Sequence, residues 1–285
     1  MKKKIIVVAV IVALAACIAA GVGGYWWYEN VKVPHDNAVE QYELLSDEVN
    51  AINEAYDQVI AEAQAVLDAG EKPLDEGKIT ELQVAISAAR DDRKELPAIP
   101  EGTEEILSVI DQYEGKVDYE ASISALNDAR KALEDSITRQ KQITAPSEEF
   151  VVDRLARLEG ISGIQAASED LDPNGQFGKA GGYTAAVYFA SDSVNQSEVY
   201  NDGEYGYGAV GQGTDGGGCV EVYATEEDAQ KRNDYLASYD GTVLASGSHN
   251  VYGTVLVRTS DLLKASEQKE LETKIYESLI ALDEA

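Results

Sequence analysis

Three side chains and a glycine in the C-terminal half have the spacing of a calcium-binding half-loop. Asp170, Asp172 and Asn174 stand at positions one, three and five, and Gly175 stands at position six. Carboxylate and amide oxygens at those positions can converge on a Ca²⁺ ion, and the glycine permits a sharp turn. The twelfth position is Gly181 where a glutamate is expected, and Asp-Pro-Asn-Gly also forms ordinary turns. The pattern therefore predicts a plain turn, with a calcium site, and hence a calcium-dependent adhesin, as an alternative.

A cysteine and a histidine farther along could form a catalytic dyad. Cys219 would be the nucleophile, His249 its base, and Arg258 could stabilise an oxyanion, as in an envelope cysteine hydrolase or transpeptidase. Nucleophilic cysteines usually lie at a helix N-terminus, which lowers the thiol pKa, whereas Cys219 begins a predicted strand. The sequence favours a structural cysteine and a histidine in a turn, and it leaves the dyad as an alternative.

The predicted strand that begins at Cys219 alternates in polarity. Successive side chains of a strand point to opposite faces, and Glu221 should face solvent if it is to remain charged at little cost. Val220 and Val222 would then face the core, and Cys219 would be partly exposed near the rim of the sheet. Because nearby carboxylates raise the pKa of a thiol, we expect this cysteine to react slowly, and we expect Cys219→Ser to leave folding intact.

A glycine-rich segment matches a nucleotide-binding pattern only superficially. Residues 211–216 read G-x-G-x-x-G, but they follow a polar loop and open a strand. A dinucleotide-binding loop follows a strand and opens a helix. The segment also contains Asp215, whose charge would repel a pyrophosphate. We therefore expect a loop here, and no nucleotide partner.

Tyrosines are concentrated in the C-terminal half, including a polar loop where burial is least expected. Tyr200, Tyr205 and Tyr207 all fall in this loop. Exposed tyrosine is common in binding surfaces because its ring is apolar and its hydroxyl forms hydrogen bonds. These three residues are candidates for binding an envelope glycan or protein. The alternative is that they pack over the edge of a sheet.

The N-terminus has the features of a membrane anchor. Residues 5–24 carry no charge, and as a helix they would match the roughly 30 Å of a bilayer's hydrocarbon core. Three lysines precede the segment, which predicts a cytoplasmic tip at 1–4. Four aromatic residues at 25–28 follow it, as in an interfacial belt. We expect a single-pass signal anchor with the rest of the chain outside the cell.

The apolar segment also contains a possible lipidation site. Residues 14–17 read Leu-Ala-Ala-Cys, which matches a bacterial lipoprotein cleavage site that would leave Cys17 as a lipidated N-terminus. Apolar sequence continues well beyond Cys17, whereas lipoproteins usually become polar soon after the cysteine. The uncleaved anchor is favoured, and both readings place the remaining chain outside the cytoplasm.

The overall charge restricts the partners. The chain carries a net charge of −29, and the tip at 1–4 supplies three of its positive charges. A surface this acidic repels nucleic acid and anionic lipid headgroups. We therefore expect no nucleic-acid partner.

Residues 43–143 predict a helical bundle or coiled-coil stalk, after a juxtamembrane linker at 25–42. Apolar residues recur at alternating steps of four and three in Leu45, Val49, Ile52, Tyr56, Val59, Ala63 and Val66. Such a heptad seam needs a partner helix to bury it. Further helices are predicted at 78–96, 104–113 and 119–141.

Two short segments of this region look alike. Residues 85–90 read Ala-Ile-Ser-Ala-Ala-Arg, and residues 125–130 read Ala-Leu-Asn-Asp-Ala-Arg. With its helix and loop pattern, the region resembles the small helical-bundle repeats, including the FIVAR type, of Gram-positive surface proteins. The resemblance implies a spacer or an interaction bundle.

Residues 144–285 predict an α+β head. Turn-forming residues at 144–147 mark its start, and helices are predicted at 148–159, 226–239 and 266–281. Strands are predicted at 161–167, 183–190, 219–223, 242–246 and 251–258. The order favours an antiparallel sheet with helices packed on one face.

Three glycine- and tyrosine-rich segments of the head, at 170–189, 213–236 and 247–260, resemble a domain of membrane-anchored envelope proteins of Gram-positive bacteria. The resemblance covers residues 145–285 and implies an extracytoplasmic location, with no activity to assign to any residue. The leading interpretation is a non-enzymatic cell-surface structural or interaction protein, in which a helical stalk presents an α+β binding head and no cofactor is needed.

Overall fold

The computed structural model describes residues 19–201, 203, 206, 208–242 and 245–283. Among these residues, no helix is both long and apolar enough to cross a membrane. The predicted tip at 1–4 and most of the predicted span at 5–24 lie outside the described residues.

Helices and one five-stranded antiparallel sheet make the chain α+β, as predicted. The elements are α1 (Val33–Asp68), α2 (Gly77–Asp92), α3 (Thr103–Tyr113), α4 (Glu120–Gln142), α5 (Glu148–Ala156), β1 (Ile161–Ala166), β2 (Tyr183–Ser191), α6 (Ala209–Gln212), β3 (Gly217–Tyr223), α7 (Glu226–Ala237), β4 (His249–Tyr252), β5 (Val255–Thr259) and α8 (Ala265–Leu279).

Helical backbone begins before α1. Residues 19–27 are helical, and a π-helix at Tyr28–Lys32 leads directly into α1. Pro34 lies in the first turn of α1, and a proline lacks the N–H that would bond the carbonyl four residues earlier. The wider π-helical turn coincides with this interruption. The segment 25–42, predicted to be a linker, is therefore helical.

Contacts between residues divide the chain into two units. The helical unit comprises Met1–Ala69 and Thr80–Arg130, and the head unit comprises Gly70–Ile79 and Lys131–Ala285. The head unit therefore includes a loop and the end of α4, which the sequence placed in the region 43–143. The backbone N–H of Leu74 donates to the carbonyl of Ser136 at 3.0 Å, and Leu74 packs against the head's apolar core.

The heptad seam of α1 is buried in part. Leu45, Val49, Tyr56 and Ala63 are buried as predicted, whereas Ile52, Val59 and Val66 are only half-buried. Asn53 and Ile60 are buried in addition. An α-helix repeats every 3.6 residues, so its buried stripe drifts away from a strict seven-residue pattern.

A polar cluster lies within the helical unit. The Asn53 side chain donates to the carbonyl of Lys94 at 2.9 Å and accepts from the Tyr119 hydroxyl at 2.7 Å. The rings of Tyr56 and Tyr119 stack with centroids 4.0 Å apart. Asn53 is buried because these partners satisfy its amide, which periodicity alone could not show.

The head sheet has the strand order β1-β2-β3-β5-β4, with β3 at its centre. Residues 251–258, predicted as one strand, contain the end of β4, a turn and most of β5. Gly253 in that turn has a φ of +59°, which glycine adopts without strain. Of the predicted strand at 242–246, Thr242, Ala245 and Ser246 are not in a strand, and the remainder lies outside the described residues.

One face of this sheet is apolar. Val220 and Val222 of β3 pack with Val255 and Val257 of β5, and α5 and α8 cover them with Leu155, Ile275 and Leu279. These side chains are all buried. This face supplies the hydrophobic core of the head.

The opposite face is also covered, so the prediction that helices pack on one face only is wrong. Ala229 and Leu236 of α7 pack against Cys219, Tyr223 and Leu256, and Val210 of α6 joins the same cluster. A register shift between Tyr183 and Ala185 turns the Tyr183 side chain to this face. Both faces of β3 are therefore buried. The side chains that alternate along β3 point into two different interiors, and neither set points to solvent.

Candidate functional site

A cleft of about 730 Å³ lies on the α7 side of the head sheet. Its described lining comes from the segment before β2, from β3 and β5, and from α7 and the loop after it. The lining residues are Pro173, Asn174, Gln176, Gly181, Gly182, Tyr223, Asp228, Lys231, Arg232, Tyr235, Leu236, Tyr239, Ser246 and Arg258. The volume is in the range of small-molecule sites.

An ion-pair cluster is buried at the base of the cleft. Glu221 is fully buried, and its Oε1 accepts from Nη1 of Arg258 at 2.7 Å. Its Oε2 accepts from the Tyr223 hydroxyl at 2.6 Å and lies 3.4 Å from Nε of Arg232. Burial alone would raise the pKa of the Glu221 carboxyl, but the charges of Arg258 and Arg232 and the hydrogen bonds outweigh it. The net effect lowers the pKa below its ordinary value, so the carboxylate is charged.

This cluster corrects the prediction that Glu221 faces solvent. Glu221 remains charged because two guanidinium groups replace its hydration. Arg258 is opposite Cys219 in the register of β3 and β5, and Glu221 is two residues along on the same face. The opposite charges of Glu221 on β3 and Arg258 on β5 could have indicated from the sequence that this face is buried.

Arg232 links α7 to the segment before β2. Its Nη2 donates to Oδ1 of Asn174 at 3.1 Å, and Nδ2 of Asn174 donates to the Tyr188 hydroxyl at 2.8 Å. The guanidinium also lies over the Tyr235 ring, 5.4 Å from its centroid. A cation in this position interacts favourably with the ring face. Arg232 is thereby fixed in one orientation at the cleft.

The predicted calcium half-loop is a hydrogen-bonded turn beside the cleft. Asp172 is buried, and it accepts from the backbone N–H groups of Asn174, Gln176 and Phe177 and from the Tyr183 hydroxyl. Burial opposes ionisation, but these donors together lower the pKa of Asp172. Asp170 is exposed.

Two of the three predicted calcium ligands, Asp172 and Asn174, use their oxygen atoms to accept hydrogen bonds from protein groups. The oxygens of Asp172 are occupied by four donors, and the amide oxygen of Asn174 accepts from Arg232. Among the described residues there is no group of three or more His, Cys, Asp or Glu side chains arranged to hold a metal ion. The turn positions Pro173 and Asn174 in the cleft.

The rim of the cleft carries aromatic rings. Tyr235 is exposed and meets Tyr239 edge to face, with centroids 5.2 Å apart. Both are on the surface of α7 and the turn after it, four residues apart, where a helix places side chains on one face. This pair was not among the predicted binding tyrosines, although the spacing of four residues between Tyr235 and Tyr239 places them on one face of a helix.

Tyr200 lines a second, smaller cleft of about 290 Å³. This cleft also includes Pro173, Asn174 and Arg258, so the two clefts share one boundary. Tyr200 is 75% exposed, as expected of a residue available for binding. Tyr205 and Tyr207 lie outside the described residues, as does Cys17.

Cys219 and His249 are not in hydrogen-bond contact. In the register of the sheet both are opposite Arg258, one on β3 and one on β4, so Arg258 separates them. The His249 ring contacts Asn233 through Nδ1 at 2.7 Å and Asp240 through Nε2 at 3.2 Å. The geometry is that of a structural histidine and not of a base beside a thiol.

Cys219 itself is fully buried, and the prediction of partial exposure is wrong. Burial, and then the charge of Glu221, raise the pKa of the thiol far above its ordinary value. The predicted direction of the pKa shift is confirmed, with burial as its main cause. A buried, protonated thiol is a poor nucleophile. Because the side chain is packed in the interior, the expectation that Cys219→Ser is harmless to folding loses its basis.

The glycine-rich segment leads into β3, as predicted, but its first two residues, Gly211 and Gln212, end the short helix α6 where a loop was expected. Residues 211–215 line the second cleft, and the strand begins at Gly217. A Cβ at Gly217 would come within 2.5 Å of the backbone nitrogen of Ser191, and a Cβ at Gly218 would meet the carbonyl oxygen of Arg258. These glycines permit close approach of the neighbouring strands.

Comparison of the chain with protein-family models, with curated proteins and with solved structures found no match.

Proposed function

We propose that this protein is a non-enzymatic, membrane-tethered cell-surface protein whose α+β head binds an envelope ligand in the cleft beside α7. The observation that carries the proposal is the composition of that cleft. Charged side chains from β5 and α7 meet aromatic rings in a volume suited to a small ligand or to part of a larger one. Polar groups that fix orientation and rings that supply contact area are the usual components of a binding site.

The absence of an assembled nucleophile favours binding over catalysis. Cys219 is buried, and both ring nitrogens of His249 contact neighbouring side chains. Within the described part of the chain, the cleft lining contains no cysteine or histidine and one serine, Ser246. The serine has no histidine beside it in that lining, so an activated nucleophile of the usual kind is not formed there.

Membrane tethering is supported by the N-terminal sequence. The uncharged segment 5–24 follows three lysines, and the aromatic residues 25–28 come next. These four aromatic side chains are all exposed. A contiguous exposed aromatic segment is typical of a site that contacts a membrane or another protein. We propose a single-pass anchor with a cytoplasmic tip at 1–4, and lipidation of Cys17 is the alternative form of attachment.

The remaining regions fit this role as spacer and scaffold. The helical unit has a buried core that includes Leu45, Val49 and Ile106. The resemblance to helical-bundle repeats of surface proteins supports a spacer. The strongly acidic surface keeps such an ectodomain soluble.

Two measurements test the proposal. Protease added to intact cells should digest the protein beyond Tyr28, and full protection would contradict the tethered topology. Full-length protein in detergent micelles should bind isolated cell-envelope fractions, and Tyr235→Ala should weaken binding at least tenfold. Leu262→Ala removes an exposed side chain of the head that does not line the cleft, and it should bind as the wild type does. If Tyr235→Ala and Leu262→Ala bind equally well, the proposal that the ligand binds in the cleft is wrong.

A further inference from the structure

We propose that the cleft holds its ligand through a carboxylate group, bound between the guanidinium groups of Arg258 and Arg232. This inference rests on the proposed binding function and adds the chemical class of the ligand.

The buried cluster carries an excess positive charge. Arg258 and Arg232 share the single carboxylate of Glu221, which leaves these three groups with a net charge of +1. On the side of the second cleft, Asp215 partly offsets the charge of Arg258. The side chains of Arg258 and Arg232 are 7% and 14% exposed, so water solvates them poorly. An uncompensated charge in such surroundings is costly. A bound anion would remove that cost and would be attracted more strongly than at an exposed site.

Arg258 has donors that the protein does not use. A guanidinium group carries five N–H donors. Among the described residues, Arg258 forms one side-chain hydrogen bond, from Nη1 to Glu221. Its Nε has no partner but is sealed from solvent, so the donors left for a ligand in the cleft are those of Nη2. Arg258 lines both clefts and is opposite Cys219 and His249 on the sheet, so it is held in the middle of this face. A buried arginine that lines a cavity with unsatisfied donors is suited to a planar, two-oxygen acceptor.

The cleft differs in charge from the chain that contains it. The described lining includes three cations, Lys231, Arg232 and Arg258, and one carboxylate, Asp228, whereas the whole chain carries −29. An acidic surface around a small cationic site disfavours ligands that carry several negative charges. The site therefore favours a ligand whose negative charge is single and localised.

The charge of the cluster distinguishes carboxylate from phosphate. With Glu221 included, Arg258 and Arg232 offer one unit of positive charge, which a carboxylate neutralises. A phosphate monoester carries about −1.5 to −2 at neutral pH and would leave the buried site negative. Glu221 and Asp228 would also repel the additional charge. The balance favours the monoanion.

The rest of the ligand would contact the rings of α7 and the turn after it. Tyr235 and Tyr239 form the rim with Leu236 behind them, and Arg232 is held against the Tyr235 ring. A ligand with a carboxylate at one end and a ring or apolar body fits this arrangement. In an envelope, such a carboxylate can come from a uronic-acid sugar or from the C-terminus of a peptide.

The experiment is a calorimetric titration of the full-length protein in detergent micelles with matched probes. A glucose oligosaccharide that ends in a single glucuronate is paired with the neutral glucose oligosaccharide of equal length, and a tetrapeptide with a free C-terminus is paired with its C-terminal amide. Inorganic phosphate is the fifth probe. We expect at least one carboxylate probe to bind, with its uncharged partner at least tenfold weaker. The pair that shows the difference identifies the source of the carboxylate.

Variants connect this binding to the cluster. Arg232→Gln should weaken the bound carboxylate probe at least tenfold, and Arg232→Lys should give an intermediate loss because the charge remains and the planar fork is lost. Arg157→Gln, a head arginine paired with Asp153 and Asp283, is the control and should bind as the wild type does. Circular dichroism on each variant verifies that it is folded. If Arg232→Gln does not fold, Arg232→Lys alone provides the test of binding.

Three results would overturn the inference. Binding of phosphate as tight as that of the carboxylates, binding of the uncharged partners as tight as that of the charged ones, or binding by none of the five probes would each do so. These failures are distinguishable from failure of the proposed function. If Tyr235→Ala still abolishes binding to envelope fractions, the cleft is the site and only the ligand class is wrong.

Discussion

Strand β3 contributes to both faces of the head sheet, and the two faces are filled by different kinds of side chain. Val220 and Val222 belong to an interior made of aliphatic residues, and Cys219, Glu221 and Tyr223 belong to one that contains arginine, glutamate and tyrosine. Helices pack over both interiors. The aliphatic face is covered by α5 and α8, whereas the polar face opens into a cleft lined by Arg258.

If the cleft binds a ligand as proposed, the two faces have different roles, one in stability and one in binding. Aliphatic packing stabilises a fold without directional requirements. A buried ion-pair cluster is often no more stabilising than an apolar replacement, so its retention needs another explanation. Binding is the explanation that the cleft supports. Substitutions on the aliphatic face should therefore change stability, and substitutions at the cleft rim should change binding.

The largest effect on stability is expected for Glu221→Gln. The substitution leaves two buried guanidinium groups without their carboxylate, and it should lower the free energy of unfolding by about 3–5 kcal/mol. Urea denaturation of the full-length protein measures the change. Glu270→Gln, an exposed glutamate paired with Lys274, is the matched control and should stay within about 0.5 kcal/mol. A loss below 1 kcal/mol for Glu221→Gln would show that the two arginines do not depend on the charge of Glu221.

Leu279→Ala tests the aliphatic face. Leu279 is fully buried at the end of α8, and its truncation should cost about 2–4 kcal/mol through lost contacts and a cavity. Under conditions where the variant is folded, its binding to envelope fractions should match that of the wild type. A variant that is folded but has lost binding would show that the two faces do not act separately.

Asp172→Asn should have an intermediate effect, and its effect should depend on pH. The variant replaces one acceptor oxygen by an N–H₂ group and leaves backbone donors unpaired, which should cost about 1–3 kcal/mol at neutral pH. Because the folded-state pKa of Asp172 is lowered, the stabilisation by its carboxylate is complete above the unfolded pKa of about 3.9 and is lost as the pH falls through the folded value. The difference between variant and wild type should shrink below about pH 4. A difference that is constant from pH 7 to pH 3 would contradict this account.

The smallest effect on stability is expected for Tyr235→Ala. The side chain is exposed at the rim of the cleft, so its loss should change the free energy of unfolding by no more than about 0.5 kcal/mol. Its binding should fall at least tenfold, as described above. If thermal unfolding shows a loss of several degrees together with the loss of binding, Tyr235 would be a structural residue instead.

The sequence predicted the elements of the head well where the local signal was strong. The helices α5, α7 and α8 and the strands β2 and β3 lie close to their predicted positions. Thr225 caps α7 by accepting from the N–H of Asp228, as its sequence indicated. The turn at Gly253 was missed because a run of strand-forming residues continues on both sides of it.

Burial of the polar face could not be predicted from alternation alone. Alternation shows that Cys219 and Glu221 share a face, but it does not show whether that face meets solvent. The deciding fact is that Arg258 on β5 and Arg232 on α7 come together at Glu221, and this depends on strand order and helix placement. Likewise, Asp172 and Asn174 were selected for their oxygen atoms, and the donors that occupy those atoms come from distant or backbone groups.

Photo-crosslinking in living cells tests the central claim, that the polar face of the head sheet is the binding face, most directly. A photoreactive phenylalanine analogue would replace Tyr235 at the rim of the cleft and, separately, Leu262, an exposed residue of the head that does not line the cleft. The account predicts a covalent adduct with an envelope component at position 235 and none at position 262. Adducts at 262 without any at 235 would contradict it.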